Sequence, residues 1–197
     1  MIGSVTAESG PSGATPLEPD EIEGLIPDLQ TTSELNEWEH ANILKAYPWA
    51  FSRAGLKVLD MQFVLELHRK MLDETWQWAG KLRWSDKNIG VHWPTIPESL
   101  DQVLNNARYW IEHNAYTLDE IAVRFHHQLV RVHPFPNGNG RHARLMADIL
   151  LAHRSAPPLT WGSRKRSTHG TARELYLGAL READRGNVEA LLKLARR

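Results

Sequence analysis

The chain has 197 residues, 23 Lys and Arg against 24 Asp and Glu, and no cysteine. The formal net charge of −1 gives no basic bias toward nucleic acid or an acidic membrane surface, and the lack of cysteine excludes disulfides and thiolate metal sites. No apolar run approaches the roughly 18 residues of a membrane span, and no secretory signal is visible. We therefore expect a soluble, cytoplasmic globular protein without membrane or nucleic-acid partners.

The first 59 residues divide into an arm and a helical segment. Residues 1–18 begin with a stretch rich in Ser, Gly, Ala and Thr, which predicts a flexible N-terminal arm. Residues 19–59 are predicted to be helical: a short turn stops at Gly24, and a helix begins at Thr31 to Ser33. Thr31 and Glu34 have the spacing of a capping box, in which each residue satisfies a backbone amide near the other.

Residues 60–197 are predicted to form the core domain. A helix follows Asp60, but its period breaks between Trp76 and Pro97, where apolar residues alternate and Gly and Pro recur. This pattern predicts a β-hairpin flap at Arg83–Trp93. A helix is predicted again from Glu98.

The second half of the chain has the pattern of further amphipathic helices. Thr117 and Glu120 are a second capping-box pair, at the start of a helix that ends near His133. The next helix runs from about Arg141 to Pro157. After a basic loop, two more helices complete the chain. The fold class is therefore mainly α, a helical bundle with one small β-hairpin.

The stretch between these two helices carries the chemistry. Its sequence is His-Pro-Phe-Pro-Asn-Gly-Asn-Gly-Arg-His-Ala-Arg, residues 133–144. A histidine can move a proton near neutral pH. Glycine-spaced amides that lead into a helix start can bind phosphate, and arginines balance its charge. Together these features indicate phosphoryl-type transfer.

Taken singly, each feature has an ordinary structural explanation. A metal site of His126, His127 and His133 is an alternative, but adjacent helical residues point about 100° apart, and no carboxylate stands at a ligand spacing. The basic loop Arg164–Arg166 could contact nucleic acid, although three charges in a loop are more often only solvated. The ordered combination of twelve residues favours the phosphate chemistry.

This stretch resembles the motif of the Fic (Fic/Doc) family, HxFx(D/E)GNGRxxR, and matches every defined position except one. The resemblance extends from about residue 60 to the end of the chain. It implies a Fic-like helical bundle and an adenylyltransferase that moves AMP from ATP to a hydroxyl side chain of a target protein. The target would dock on the flap around Arg83–Trp93.

The resemblance also implies a role for each motif residue. His133 would be the general base, and Arg144 would hold the γ-phosphate or an inhibitory carboxylate. The other nucleotide-binding residues would be Gly138, Asn139 and Gly140, as the anion hole, and Arg141, on the outer phosphates.

Asn137 is the departure from the motif, because the family usually has Asp or Glu there as a ligand of Mg²⁺. Asparagine keeps an oxygen but loses the charge that a hard cation prefers. Asn137 is therefore predicted to be a weak ligand of Mg²⁺ or Mn²⁺. Slow transfer, a changed donor or metal, and nucleotide binding without chemistry all stay open.

The resemblance further predicts an N-terminal inhibitory segment with the pattern (S/T)xxxE(G/N). Glu23 is followed by Gly24, although Pro19 occupies the Ser/Thr position. Glu37 has Ser33 at the right spacing but is followed by Trp38. We favour Glu23, with Glu37 as the alternative.

Two other functions fit the same residues. One is a non-catalytic nucleotide-binding or toxin–antitoxin-like interaction module, which Asn137 suggests. The other is a Fic relative that uses another phosphate-containing donor. A homo-oligomer and an antitoxin-like partner are open as well.

Overall fold

Helices account for nearly all the regular structure. The computed structural model describes residues 17–52, 57–162 and 169–197. A single turn of 3₁₀ helix covers Trp93–Thr95. The α-helices are α1 Pro19–Ile22, α2 Thr32–Ser52, α3 Met61–Leu72, α4 Ile96–Glu112, α5 Leu118–Val132, α6 Asn139–Ala152, α7 His169–Asp184 and α8 Glu189–Ala195. The prediction of a mainly α fold is confirmed.

The two predicted capping sites lie at helix starts. The Thr31 hydroxyl accepts a hydrogen bond from the Glu34 amide at 3.2 Å, and the Glu34 carboxylate accepts one from the Thr31 amide at 2.9 Å. At α5, the Thr117 hydroxyl accepts from the Glu120 amide at 3.3 Å. These bonds satisfy amides that the first turn of a helix leaves without partners, and so they fix where α2 and α5 begin.

Helices α5 and α6 lie at the centre of the protein. One face of each helix packs in a core with α2, α3 and α4. The opposite faces, with Ala122 and Val123 of α5 and Ala147 and Leu151 of α6, pack in a second core with α7 and α8. Because both helices are buried on two sides, the loop that joins them is held at both ends.

The predicted hairpin does not form at Arg83–Trp93. This segment has no strand, and the one isolated β-bridge in the described residues joins Leu25 to Trp76. The physical reason is Arg83, which is 2% exposed. Its guanidinium donates to the carbonyls of Ser85 and Val91, so these oxygens bond to a side chain instead of to a facing strand. We call residues 83–93 the flap loop.

The remaining expectations concern two segments outside the described residues, the domain boundaries and membrane spans. Residues 1–16, most of the predicted arm, and the basic loop Arg164–Arg166 lie outside the described residues. The predicted boundaries at residues 18 and 59 stay predictions. Among the helices of the described ranges, none is long and apolar enough to cross a membrane.

Candidate active site

His133 ends α5 in a strained backbone conformation. Its φ of 51° and ψ of 61° are left-handed, which costs a residue other than glycine about 1–2 kcal/mol. Arg83 holds this conformation: its Nε donates to the His133 carbonyl at 2.7 Å, and its amide donates to the Pro134 carbonyl at 2.9 Å. The buried arginine of the flap loop therefore positions the predicted base.

The His133 ring is uncharged at neutral pH. Burial, and to a smaller extent the positive charges of Arg83 and Lys87, lower the pKa of His133 to about 4. The residue is 6% exposed, and its Nδ1 is fully buried. This leaves Nε2 as the ring nitrogen that can face a substrate, in the form that accepts a proton.

The side chain of Asn139 holds the loop together. Its Oδ1 accepts from the Phe135 amide at 2.9 Å, and its Nδ2 donates to the Phe135 carbonyl at 2.8 Å. Both ends of the amide are thus used inside the loop. Any contact of Asn139 with an anion would have to come from its backbone amide.

The glycines bring the loop into the start of α6. Gly138 has a φ of +77°, and a Cβ added there would lie 2.8 Å from Cδ1 of Leu72 on α3. A Cβ at Gly140 would have Tyr176 Oη as its nearest neighbour, at 3.9 Å, so the chain is open on this side. The amides of residues 139–141 lie in the first turn of α6, where amides lack intrahelical acceptors and favour an anion.

Asn137 bonds within the loop. Its Oδ1 accepts a hydrogen bond from the Gly138 amide at 2.6 Å. This oxygen is neutral and already engaged, and the described residues hold no group of three or more His, Cys, Asp or Glu side chains suited to a metal. The Asn137 side chain is therefore a poor fit to Mg²⁺, which prefers charged oxygens in an octahedral shell. The predicted metal role of Asn137 stays a prediction.

Arg141 is paired with an acid that the motif comparison missed. Its Nη2 lies 2.5 Å from Oε2 of Glu39 on α2, a residue that is only 2% exposed. The other oxygen of Glu39 accepts from Nε1 of Trp76 at 2.8 Å. Glu39 therefore lies on the arginine that the family resemblance assigns to the outer phosphates.

Arg144 points to a different neighbour. Its guanidinium lies 5.3 Å from the centre of the Tyr176 ring on α7, a cation–π contact. The Tyr176 hydroxyl lies 3.0 Å from Nε2 of His126 on α5. The two motif arginines thus leave α6 in different directions, one toward α2 and the other toward α7.

The predicted inhibitory glutamates lie elsewhere. Glu23 is exposed at the end of α1 and lines a cavity of about 330 Å³ with Trp84 and Lys81 of the neighbouring segment. Glu37 is exposed on α2. Among the described residues neither is ion-paired with Arg141 or Arg144, so the contact with Arg144 expected for Glu23 is not formed. An inhibitory role for either glutamate stays a prediction.

His68 of α3 is a further site residue that the sequence analysis missed. Its ring stacks on Phe135 with 3.6 Å between ring centres. Its Nδ1 accepts from the Gly80 amide at 2.9 Å, and its Nε2 lies 3.0 Å from the Asn137 carbonyl. Burial holds the pKa of His68 well below its usual range. A neutral ring protonated on Nε2 satisfies both contacts. His68 therefore connects the loop between α5 and α6 to Gly80, which lies just before the flap loop.

The histidines of the alternative metal site have other partners. Besides the contact of His126 with Tyr176, Nε2 of His127 lies 2.9 Å from a carboxylate oxygen of Asp184. Both histidines are buried. The sequence could not show this because their partners lie on α7, about 50 residues away.

Comparison with known proteins places a family domain over the same part of the chain. Residues 58–151 match the sequence model of the Fic/DOC family. A protein adenylyltransferase fic-1 of Caenorhabditis elegans is 32% identical over 105 residues, which are 51% of this chain and 21% of the relative. A protein adenylyltransferase Fic of Nematostella vectensis is 28% identical over 138 residues, 68% of this chain and 31% of the relative. The chain thus spans about a fifth to a third of the length of these relatives.

The fold of this chain is also similar to that of solved structures. The BepC protein of Bartonella tribocorum, solved with bound AMPPNP, superposes with a TM-score of 0.66 over 85% of this chain and 87% of that chain. The sequence identity is 18%, so this likeness concerns the fold.

Proposed function

We propose that this chain, which carries a Fic/DOC domain at residues 58–151, is a protein adenylyltransferase that moves AMP from ATP to a hydroxyl of a target protein. The observation that carries this proposal is one juxtaposition. A buried, neutral histidine follows α5. Six residues later α6 begins, with two arginines and with first-turn amides that lack intrahelical acceptors.

His133 acts as the general base. Its neutral ring accepts the proton of the target hydroxyl while the hydroxyl oxygen attacks the α-phosphorus. The bond from the α-phosphorus to the bridging oxygen breaks, and pyrophosphate leaves with the electron pair. A base with a pKa near 4 is weak, but the negative charge of a bound nucleotide raises the pKa of a nearby histidine.

The start of α6 receives the phosphates. The amides of Gly138, Asn139 and Gly140 lie at the start of α6 and would donate to the negative charge that develops on the phosphates, which is how oxyanion sites lower a barrier. Arg141 and Arg144 neutralise the outer phosphates. Since Asn137 already accepts from the Gly138 amide, its side chain must turn away before that amide binds a phosphate.

Glu39 restrains this activity. Its carboxylate holds the Arg141 guanidinium that would otherwise bind an outer phosphate. ATP must compete with a buried acid for this arginine, by charge and by hydrogen bonding. The sequence predicts that an N-terminal glutamate, Glu23 or Glu37, restrains the site. We assign this role instead to Glu39 on α2, with Arg141 as its partner.

The flap loop receives the target. It contacts His133 directly. Trp84, Ile89 and Trp93 in this loop are 39%, 45% and 43% exposed. Exposed aromatic side chains of this kind commonly anchor a protein partner. A target segment bound there would bring its hydroxyl to the His133 ring.

Labelled ATP tests the proposed function. The protein is incubated in a cell lysate with ATP labelled at the α or the γ position. We expect label on protein from the α position alone and none with His133→Ala, whereas AMPPNP binding persists in that variant. Label from the γ position alone would indicate phosphorylation and overturn the proposal.

A non-catalytic nucleotide-binding module is the second candidate. The observation in its favour is Asn137, a neutral residue that engages the Gly138 amide. AMPPNP binding without transfer in wild type, and in a Glu39→Gln variant, would support this module over the enzyme.

A further inference from the structure

An ion pair joins α1 to the flap loop. Nζ of Lys87 lies 2.5 Å from Oε2 of Glu21, and the two side chains are 1% and 0% exposed. Withdrawing both charges from water is costly, and such pairs are weak stabilisers compared with apolar packing. A buried pair of opposite charges does, however, fix the position of α1 relative to the flap loop, because any shift would separate the two charges.

The short helix α1 is built to present Glu21. Oε2 of Glu21 also accepts from the Glu18 amide at 2.8 Å, which fixes the side chain within its own turn. The Glu21 carbonyl accepts from Nε1 of Trp78 at 2.9 Å. One residue earlier, the Asp20 carboxylate accepts from Nε1 of Trp84 in the flap loop at 2.7 Å. The turn thus contacts the flap loop at two places.

The position of the flap loop is transmitted to His133. Val91 donates its amide to the Val132 carbonyl at 3.3 Å, and Arg83 holds the carbonyl of His133. A Cβ added at Gly90 would lie 2.8 Å from Cβ of His133, so the loop backbone lies directly against the base. A shift of the loop would therefore be felt at the histidine.

We propose that α1 is a brace for the flap loop, and that Glu21 and Lys87 are positioning residues that fix the loop against His133. The brace sets the shape of the surface that receives the target segment. This last consequence rests on the proposed function, whereas the brace itself does not.

Hydrogen–deuterium exchange of the full chain tests the brace. Glu21→Gln and Lys87→Met each remove one charge at similar side-chain size. We expect the amides of Arg83 and Val91, which donate to the carbonyls of Pro134 and Val132, to exchange about tenfold faster in either variant, with α4 and α5 unchanged. The double variant should exchange no faster than the single ones, because both remove the same interaction. Glu23→Gln, an exposed acid on the same segment, is the matched control and should leave exchange unchanged.

A second measurement follows the histidine. In nitrogen-resolved NMR spectra, the His133 ring resonances should move in Lys87→Met and Glu21→Gln, while those of the exposed His113 stay in place. Unchanged loop exchange, or equal acceleration of all helices, would overturn the brace. Neither measurement needs turnover, so a protein that binds AMPPNP but never transfers AMP would refute the proposed function and leave the brace to be decided by exchange.

Discussion

Replacing Glu39 by Gln should strengthen nucleotide binding. The substitution keeps an oxygen for the indole of Trp76 and removes the charge that holds Arg141 at 2.5 Å. A hydrogen bond between charged groups contributes about 1.5–3 kcal/mol. Arg141 is 30% exposed, and solvent screening reduces this contribution to about 1–2 kcal/mol.

The corresponding change in affinity is roughly 5- to 30-fold. Isothermal titration with AMPPNP measures it directly, and transfer from α-labelled ATP should rise in parallel. Glu37→Gln and Glu23→Gln are matched controls, because both acids are exposed and lie in the same N-terminal part of the chain. Equal or weaker AMPPNP binding by Glu39→Gln would refute the restraint. A gain in Glu23→Gln alone would return that role to the residue favoured by the sequence.

Three further outcomes are expected. Asn137→Asp places a charge beside the phosphates, so transfer should rise more steeply in a Mg²⁺ titration; superimposable titration curves would exclude a metal-ligand role. Gly138→Ala should lower the free energy of unfolding by about 1–2 kcal/mol for its left-handed backbone and roughly 1–3 kcal/mol more for overpacking, measured by urea unfolding; an unchanged midpoint would contradict the geometry. Burial lowers the pKa of His126 to about 3 and those of His133 and His142 to about 4. In the unfolded chain the pKa of a histidine is about 6.5. Between pH 6.5 and the lowered pKa of each histidine, the unfolded chain therefore binds a proton that the folded chain does not. Stability should therefore fall from pH 7 to pH 5, by roughly 2 kcal/mol for each histidine; a urea midpoint that does not move would refute the assignment.

The helices and the motif were predictable because their signals are local. The Thr117–Glu120 pair marks the start of α5, and the apolar period of that helix is set within its own fifteen residues. The place of His133 at the end of α5 follows from the prolines and glycines after it. Such features depend on neighbours in the sequence, and the structure has them where the sequence indicates.

The flap loop and the acid on Arg141 were not predictable for the opposite reason. The alternation from Leu82 to Trp93 is typical of strands, and only the burial of Arg83 shows where the backbone carbonyls bond. Glu39 looks like any helical glutamate until Trp76 and Arg141 meet it, 37 and 102 positions later. A pattern search around the motif cannot identify a partner that folding alone brings near.

That separation has a consequence for how the protein is made. Contacts between distant positions close slowly, whereas α5 and α6 follow each other directly and can associate early. Synthesis runs from the N-terminus, so Glu39 has left the ribosome before Arg141 is added to the chain. Each new molecule therefore has Glu39 before Arg141 is made, and the contact between them closes after α5 and α6 have associated.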